Sequence, residues 1–331
     1  MQFAVRLANS GPLASREAMR TMAVAAEQLG FDAVSIHDHV NWGWSDRYHF
    51  YVGAVEQADA TDNPLDFYSA FATLGYLAGI TSRVRLVPAA LCLAWRHPLQ
   101  VAREALTMHA LSRGRFVLCV CVGNVQKDFE ATGTPWEKRG QIAVEGLKVL
   151  RSVMDATGPV SFQGEYFRFE RADLYPLPRG LRMWYAGTSD VAIRRAARYG
   201  EGWMPAGDPA YFHSKVPELR RHAERYGRAG VQFEVATVCR TCVARTDEEA
   251  WRIGRRTLES ELAAEWLTRH DIGDIRKTWL VGSPDRIAGR IREYEAAGVT
   301  MIGIGIIAHT LAGIVEQLEL FAKEVIPLAQ Q

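Results

Sequence analysis

"RVRLVPAAL" (residues 83 to 91), "PLQVAREALTMHALSRG" (98 to 114) and "RFVLCVCV" (115 to 122) follow one another with short joins, and this stretch decides the fold. The outer two runs are short, rich in Val and Leu and almost continuously apolar, as strands covered on both faces are. The middle run has helical periodicity. A strand, a helix and a second strand of this kind make a unit of parallel sheet.

The alternation continues in both directions. Upstream stand a strand FAVRLA (3 to 8), a helix SREAMRTMAVAAEQLG (15 to 30) ending at Gly30, a strand DAVSIH (32 to 37) and a helix LDFYSAFATLGYLAGI (65 to 80). Downstream the strands are LRMWYA (181 to 186), GWMPA (202 to 206), QFEVATVCRTCVA (232 to 244) and TMIGIGII (300 to 307). Helical stretches lie between them, among them SPDRIAGRIREYEAAG, where Ser283 reads as the N-cap and Pro284 as the first helical position. Eight strands, each followed by helix, predict an α/β fold of the (β/α)8 TIM-barrel type, residues 1–331 forming a single domain. A doubly wound sheet is the alternative. The count of eight, with no linker rich in Gly, Pro or Ser, favours the barrel. SFQGEYFRFE (161 to 170), with Gly164 at its centre, reads as a small hairpin inserted before the fifth strand.

Composition narrows the partners. The chain has 331 residues, 48% hydrophobic and 23% charged, with 39 Lys and Arg against 38 Asp and Glu. A net charge of +1 advertises no surface for nucleic acid or anionic lipid, so a small-molecule substrate is the expected partner. No apolar stretch approaches the roughly 20 residues of a membrane span, and the N-terminus lacks a leader pattern; a cytoplasmic location is expected. Five cysteines, an odd number in a long chain, argue against a disulfide framework. The C-x-x-C of Cys239 and Cys242 falls inside a strand, where residues three apart face opposite sides, so it reads as packing. The histidines outside "HDH" are scattered singly, and no metal site is expected.

In such a barrel the chemistry belongs on the connections that follow the strands. The second connection is long and aromatic, and its start carries Asp38 and His39 where the chain leaves the strand. An imidazole there, with a carboxylate beside it to tune its tautomer, suits proton transfer or a hydrogen bond to a cofactor, so His39 is the candidate catalytic residue. Trp42, Trp44, Tyr48 and Phe50 are the candidate substrate pocket, packing of the loop onto the barrel being the equal alternative. After the third strand, Ala89 and Ala90 leave space for something flat against the backbone. After the fifth, Gly187, Thr188 and Ser189 precede a helix whose first turn carries Asp190. The unpaired N–H groups of a helix start, approached closely over a glycine, suit a phosphate. A helix start capped without a ligand reads equally well from the residues alone.

The segments LGFDAVSIHDHV, SRGRFVLCVCVGNVQKDFEATG, FQGEYFRFERADLYPLP, AGTSDVAIRRAARYGEGW and VGSPDRIAGRIREYEAAGV resemble, in order and spacing, the bacterial luciferase-like flavin and deazaflavin oxidoreductases. The resemblance covers nearly the whole chain. It implies an enzyme using coenzyme F-420 or FMN, cytoplasmic and homodimeric, with a separate flavin reductase as partner if FMN is used. His39 matches the histidine beside the reactive ring, and Asp38 its acidic neighbour. Ala89 and Ala90 match the bulge behind the ring, often a non-proline cis peptide, and Gly187, Thr188 and Ser189 match the phosphate corner. Two positions depart from the pattern: Val122 stands where luciferase has a phosphate-holding arginine, and Asn124, counted with the cofactor-binding residues, where the sugar-phosphate dehydrogenase branch has an acidic glutamate. The first departure tips the expectation toward the deazaflavin and hydride transfer. The alternatives are reduced-FMN monooxygenation, a non-redox phosphate-binding barrel and a non-catalytic relative.

Overall fold

The protein was analysed as a computed structural model, which describes all residues except 12, 41–65, 178 and 259–274. The strands are β1 (Gln2–Arg6), β2 (Ala33–Ile36), β3 (Arg85–Pro88), β4 (Leu91–Cys92), β5 (Val117–Cys121), β6 (Val160–Gln163), β7 (Arg168–Ala172), β8 (Arg182–Ala186), β9 (Gly202–Met204), β10 (Glu234–Val243), β11 (Leu280–Gly282) and β12 (Met301–Ile306). The main sheet runs β3-β2-β1-β12-β10-β9-β8-β5-β4, every pairing in it parallel. β4 continues β3 beyond Ala89 and Ala90, and an isolated parallel bridge joins Leu86 to Phe116 just before β5. The third barrel position is thus one strand broken by a bulge, and through it the sheet closes on itself. Eight barrel positions result, as expected from the sequence. β6 and β7 form the separate antiparallel hairpin. The sequence reading had no strand at β11, three residues long, which pairs with the outer part of β10.

The helices begin and end as their residues dictate. Ser15 caps Arg16–Gln28 by accepting from the Ala18 N–H at 3.0 Å, and Gly30, at φ 86°, turns the chain past its end. Ser283 sits at the N-cap of Pro284–Ala296 with Pro284 in the first turn, as read, but its own N–H donates to Asp247 Oδ1 at 2.8 Å and its hydroxyl makes no cap bond. Glu145, on helix Arg139–Met154, accepts from the backbone N–H groups of Glu165, Tyr166 and Phe167. That carboxylate fastens the hairpin to the barrel wall, and a Cβ at Gly164 would lie 2.1 Å from it.

Inside the barrel most staves contribute small residues. Ala4, Ala33, Cys119 and Ala236 pack with Val87, Val117 and Met301 around Trp184, which is wholly buried. A Cβ at Gly202 would stand 2.2 Å from the Trp184 ring, so the indole fits because its neighbouring stave has no side chain there. Below it Arg85 stacks on Trp184, donates to Glu234 at 2.6 Å and to Gln2 at 2.7 Å, while Arg182 pairs with the other oxygen of Glu234. This charged layer closes the N-terminal end. The cysteine pair of β10 behaves as alternation requires: Cys239 enters the main core and Cys242 a separate cluster with Trp279 and Val281. All five thiols are free.

Glu27 ties the first helix to the start of β3, accepting from the backbone N–H groups of Ser82, Arg83 and Val84. Burial works to raise its carboxyl, but those N–H bonds outweigh it and hold the group down at about 2. A carboxyl lowered on folding contributes stability that is complete above its unfolded value and lost as pH falls through the folded one. Glu27→Gln is therefore expected to unfold more easily at pH 7, by of the order of 1 kcal/mol once solvent screening of this largely exposed carboxylate is allowed for, with the deficit shrinking as pH falls from roughly 4.5 toward 2. Urea titrations of both proteins across that range check this.

Candidate active site

With the lower end closed, the space lies at the C-terminal ends of the strands. A cavity of about 310 Å³ opens there between the ends of β1, β8, β9, β10 and β12 and the bulge of the third stave. One wall is built of small side chains, Ala89, Ala90, Ala186 and Ala206. The peptide between Ala89 and Ala90 is cis, the geometry that the family resemblance implies. The Ala89 N–H is held by the Ile36 carbonyl at 2.6 Å.

Asp38 has a different partner from the one expected. It does not pair with His39. Buried at 4% exposure, it forms a bidentate ion pair with Arg96 at 2.8 and 2.9 Å and accepts from the Cys92 N–H at 3.2 Å; Arg96 also donates to the Cys92 carbonyl. The carboxylate and guanidinium together clamp the backbone just beyond the alanine bulge. Asp38 is thus part of the scaffold of the wall.

The carboxylate that reaches His39 is Asp128, from the short helix Gln126–Thr132 after β5, with Nδ1 and Oδ2 2.7 Å apart. The Asp128 side chain is fully buried and that of His39 is 14% exposed. A carboxylate oxygen accepts, so Nδ1 is the ring nitrogen that donates in this bond. Two residues earlier, His37 lines the cavity and its Nε2 lies 2.8 Å from the Ser10 hydroxyl. Asn9, wholly buried, grips the His37 backbone at both its N–H and its carbonyl. Burial, aided by the positive charge of Arg6, pushes His37 well below the usual imidazole range, so it is neutral at pH 7.

The corner after β8 sits beside this space. Gly187, at φ 143°, donates to the Met204 carbonyl and accepts from the Trp203 indole N–H at 2.9 Å. Ser189 caps helix Asp190–Tyr199 by accepting from the Ala192 N–H at 3.3 Å, and Asp190 pairs with Lys215 at 2.9 Å. Thr188 is partly exposed, with its hydroxyl 3.4 Å from the Ala206 carbonyl. A Cβ on Gly187 would meet Ala192 at 2.8 Å, so a bulky residue there disturbs the helix start as well as the corner. Gly187, Thr188 and Ser189 flank the cavity through Ala186 and Ala206 and do not themselves line it. Asn124 is exposed on the fourth connection, likewise outside the lining, and Val122 packs against the cluster of Phe129 and Ala143. Trp42, Trp44, Tyr48 and Phe50 lie outside the described residues. Among the described residues no group of three metal-ligating side chains exists, and no helix is long and apolar enough to cross a membrane.

Against known proteins, the pattern of the luciferase-like monooxygenases matches residues 2–301. The chain belongs to that family. Members of that family are flavin- or deazaflavin-dependent oxidoreductases. An FMNH2-dependent dimethylsulfone monooxygenase of Pseudomonas fluorescens is 25% identical over 283 residues, spanning 77% of this chain and 76% of that one. Among solved structures, a coenzyme F-420-dependent tetrahydromethanopterin reductase from Methanopyrus kandleri superposes with a TM-score of 0.74 at 21% identity, over 98% of each chain. An F-420-dependent secondary alcohol dehydrogenase holding an F-420-acetone adduct gives 0.79 at 21% identity, over 100% and 99%. These likenesses place the fold among luciferase-like TIM barrels.

Four residues of the site escaped the sequence reading. Arg6 stands in the apolar run FAVRLA and Arg240 among the β-branched and apolar residues of β10, and a basic residue in such a run was the available signal. His37 shares the parity of Ser35 along β2. Nothing in the sequence links position 39 to position 128. If the His39–Asp128 pairing holds, nitrogen-resolved spectra of neutral His39 are expected to show the Nδ1–H tautomer, and Asp128→Ala to move it toward the Nε2–H form that free imidazole prefers. Finding Nε2–H in the unmodified protein would break the pair.

Proposed function

We propose that this luciferase-like enzyme uses coenzyme F-420 to move a hydride to or from a small organic substrate. The observation that carries this reading is the corner after β8. It offers helix-start N–H groups and the hydroxyls of Thr188 and Ser189, and the nearby cation Lys215 is engaged by Asp190 and Glu218. The phosphate of FMN is a monoester bearing a charge of about −1.5 to −2 near neutrality. The phosphate of the deazaflavin is a diester that itself bears a single negative charge, which such a corner suits without an arginine. Val122, packed among apolar neighbours, supports the same choice.

The residues fit a flat ring. The small side chains of Ala89, Ala90 and Ala186 form a wall on which it would lie, backed by the Asp38–Arg96 clamp. When bound, the deazaflavin supplies a carbon that accepts or donates a hydride. His39, oriented by Asp128 and set outside the cavity lining with its ring 6.1 Å from that of His37, which does line it, would hold or pass a proton at the substrate oxygen. The closed lower end of the barrel keeps water from entering beneath the site. A second reading, monooxygenation with reduced FMN delivered by a separate flavin reductase, draws on the dimethylsulfone monooxygenase, which matches three quarters of the chain.

Equilibrium titration of the full chain with F-420 and with FMN decides between them. F-420 is expected to bind at least about tenfold more tightly, and Thr188→Val to weaken it severalfold. Tighter FMN binding would replace the first reading by the second. With cofactor and substrate in hand, His39→Ala is expected to lower turnover by ~10²-fold with a smaller effect on cofactor affinity. His39→Asn, which keeps a hydrogen bond and cannot shuttle protons, should recover binding and not rate. Full turnover in His39→Ala would remove its catalytic role.

A further inference from the structure

Two of the five cysteines meet beside the alanine wall, and the proposed chemistry leaves their thiols unused. Cys92 on β4 and Cys121 on β5 are register partners in adjacent parallel strands, so their side chains leave the sheet on the same face. Both belong to the cluster of Phe129 and Ala143. A Cβ at Gly123, two residues beyond Cys121, would stand 2.6 Å from the Cys92 sulfur, so that thiol leans toward the end of β5. The Cys121 sulfur lies 3.8 Å from the Ala90 carbonyl. Exposure separates the two. Cys121 is partly exposed, Cys92 is 1% exposed, and Cys119, Cys239 and Cys242 are buried as well. Burial, and after it the neighbouring Cys121 sulfur, push the Cys92 thiol well above its ordinary range.

We propose that Cys92 and Cys121 are a redox-active dithiol that hydrogen peroxide converts to a disulfide, and that the bridge displaces the alanine wall. The accessible Cys121, as its thiolate, attacks the peroxide. An S–O bond forms, the O–O bond breaks, and hydroxide leaves, taking up the proton the thiol released; Cys121 becomes a sulfenic acid. The Cys92 sulfur then attacks Cys121: the S–S bond forms, the S–O bond breaks, and a second water leaves with the Cys92 proton. Two thiols and one peroxide thus give one disulfide and two waters, and an external dithiol reverses the change. Adjacent strands lie about 4.8 Å apart, whereas a disulfide draws its Cβ atoms to about 3.8 Å, so closing the bridge pulls β4 toward β5 by about 1 Å. The Cys92 N–H donates to Asp38 and its carbonyl accepts from Arg96, so the movement reaches the clamp behind Ala89 and Ala90. That this wall carries the cofactor rests on the function proposed above.

The test treats the full reduced chain with hydrogen peroxide, alkylates the remaining thiols in urea with iodoacetamide and maps the peptides. Two of the five thiols are expected to be lost, in one bridged Cys92–Cys121 peptide that dithiothreitol separates. Cys92→Ser should stop at a Cys121 sulfenic acid that dimedone traps, and Cys121→Ser should leave Cys92 open to alkylation. In the bridged form the amides of residues 91 to 96 are expected to exchange hydrogen faster than in the reduced form, and F-420 and FMN to bind about tenfold or more weakly, both reversed by reduction. Five free thiols after a treatment that fully oxidises glutathione, or Cys121 carried to sulfinic acid with Cys92 still free, would overturn the dithiol. Those results come from the unmodified protein and do not depend on how the variants fold. A bridge that leaves hydrogen exchange unchanged would overturn its action on the wall. If the reduced protein binds neither cofactor, the function proposed above falls by itself, while the bridged peptide and the exchange still decide the dithiol.

Discussion

Everything in this barrel depends on one large side chain being surrounded by very small ones. Trp184 occupies the middle of the interior because Ala4, Ala33 and Ala236 face it and Gly202 has nothing to offer in its way. A ring of eight parallel strands must be filled by side chains, since an unfilled interior forfeits dispersion contacts on every side. Filling it with an indole at mid-height, on a layer of Arg85, Glu234 and Arg182, uses up the lower part. The upper part stays open for ligands. The position of the cavity follows from that division.

The same economy of side chains shapes the working end. Alanines on one wall leave room, while the groups that limit motion are anchored from behind. Asp38 and Arg96 fix the backbone after the bulge, Asn9 fixes His37, and Asp128 fixes the ring of His39. Each anchor is a buried or half-buried polar group with a partner at hydrogen-bond distance, so its orientation resists thermal averaging. A site built this way presents its donors and acceptors already aimed, which is the main electrostatic advantage an enzyme has over water.

Much of this was legible in the sequence, for a physical reason. Strand and helix periodicities are local, and so are the Gly and Ser residues that end helices, so the eight-stave barrel and the inserted hairpin could be read in order along the chain. The alanine bulge and the glycine corner are short contiguous stretches, and the family resemblance marked both. The histidine's partner was not. Adjacency suggested Asp38, yet a carboxylate next in sequence on an extended chain points away from its neighbour, while Asp128, far along the chain, is brought to it by the fourth connection. Arg6 and Arg240 were missed because alternation tells which face a strand residue takes and not which faces of three different strands meet. β11 is too short for any period to register.

A barrel plugged at one end has a single doorway, and this imposes an order of events. Two ligands that share such a vessel cannot exchange independently: the one lying deeper must enter before the other and stays until the other has gone. The lower layer of Arg85, Arg182, Glu234 and Gln2 therefore does more than hold strands together. By denying a back exit, it would make exchange sequential for a cofactor and a substrate that shared the cavity as proposed, whichever of them lay deeper.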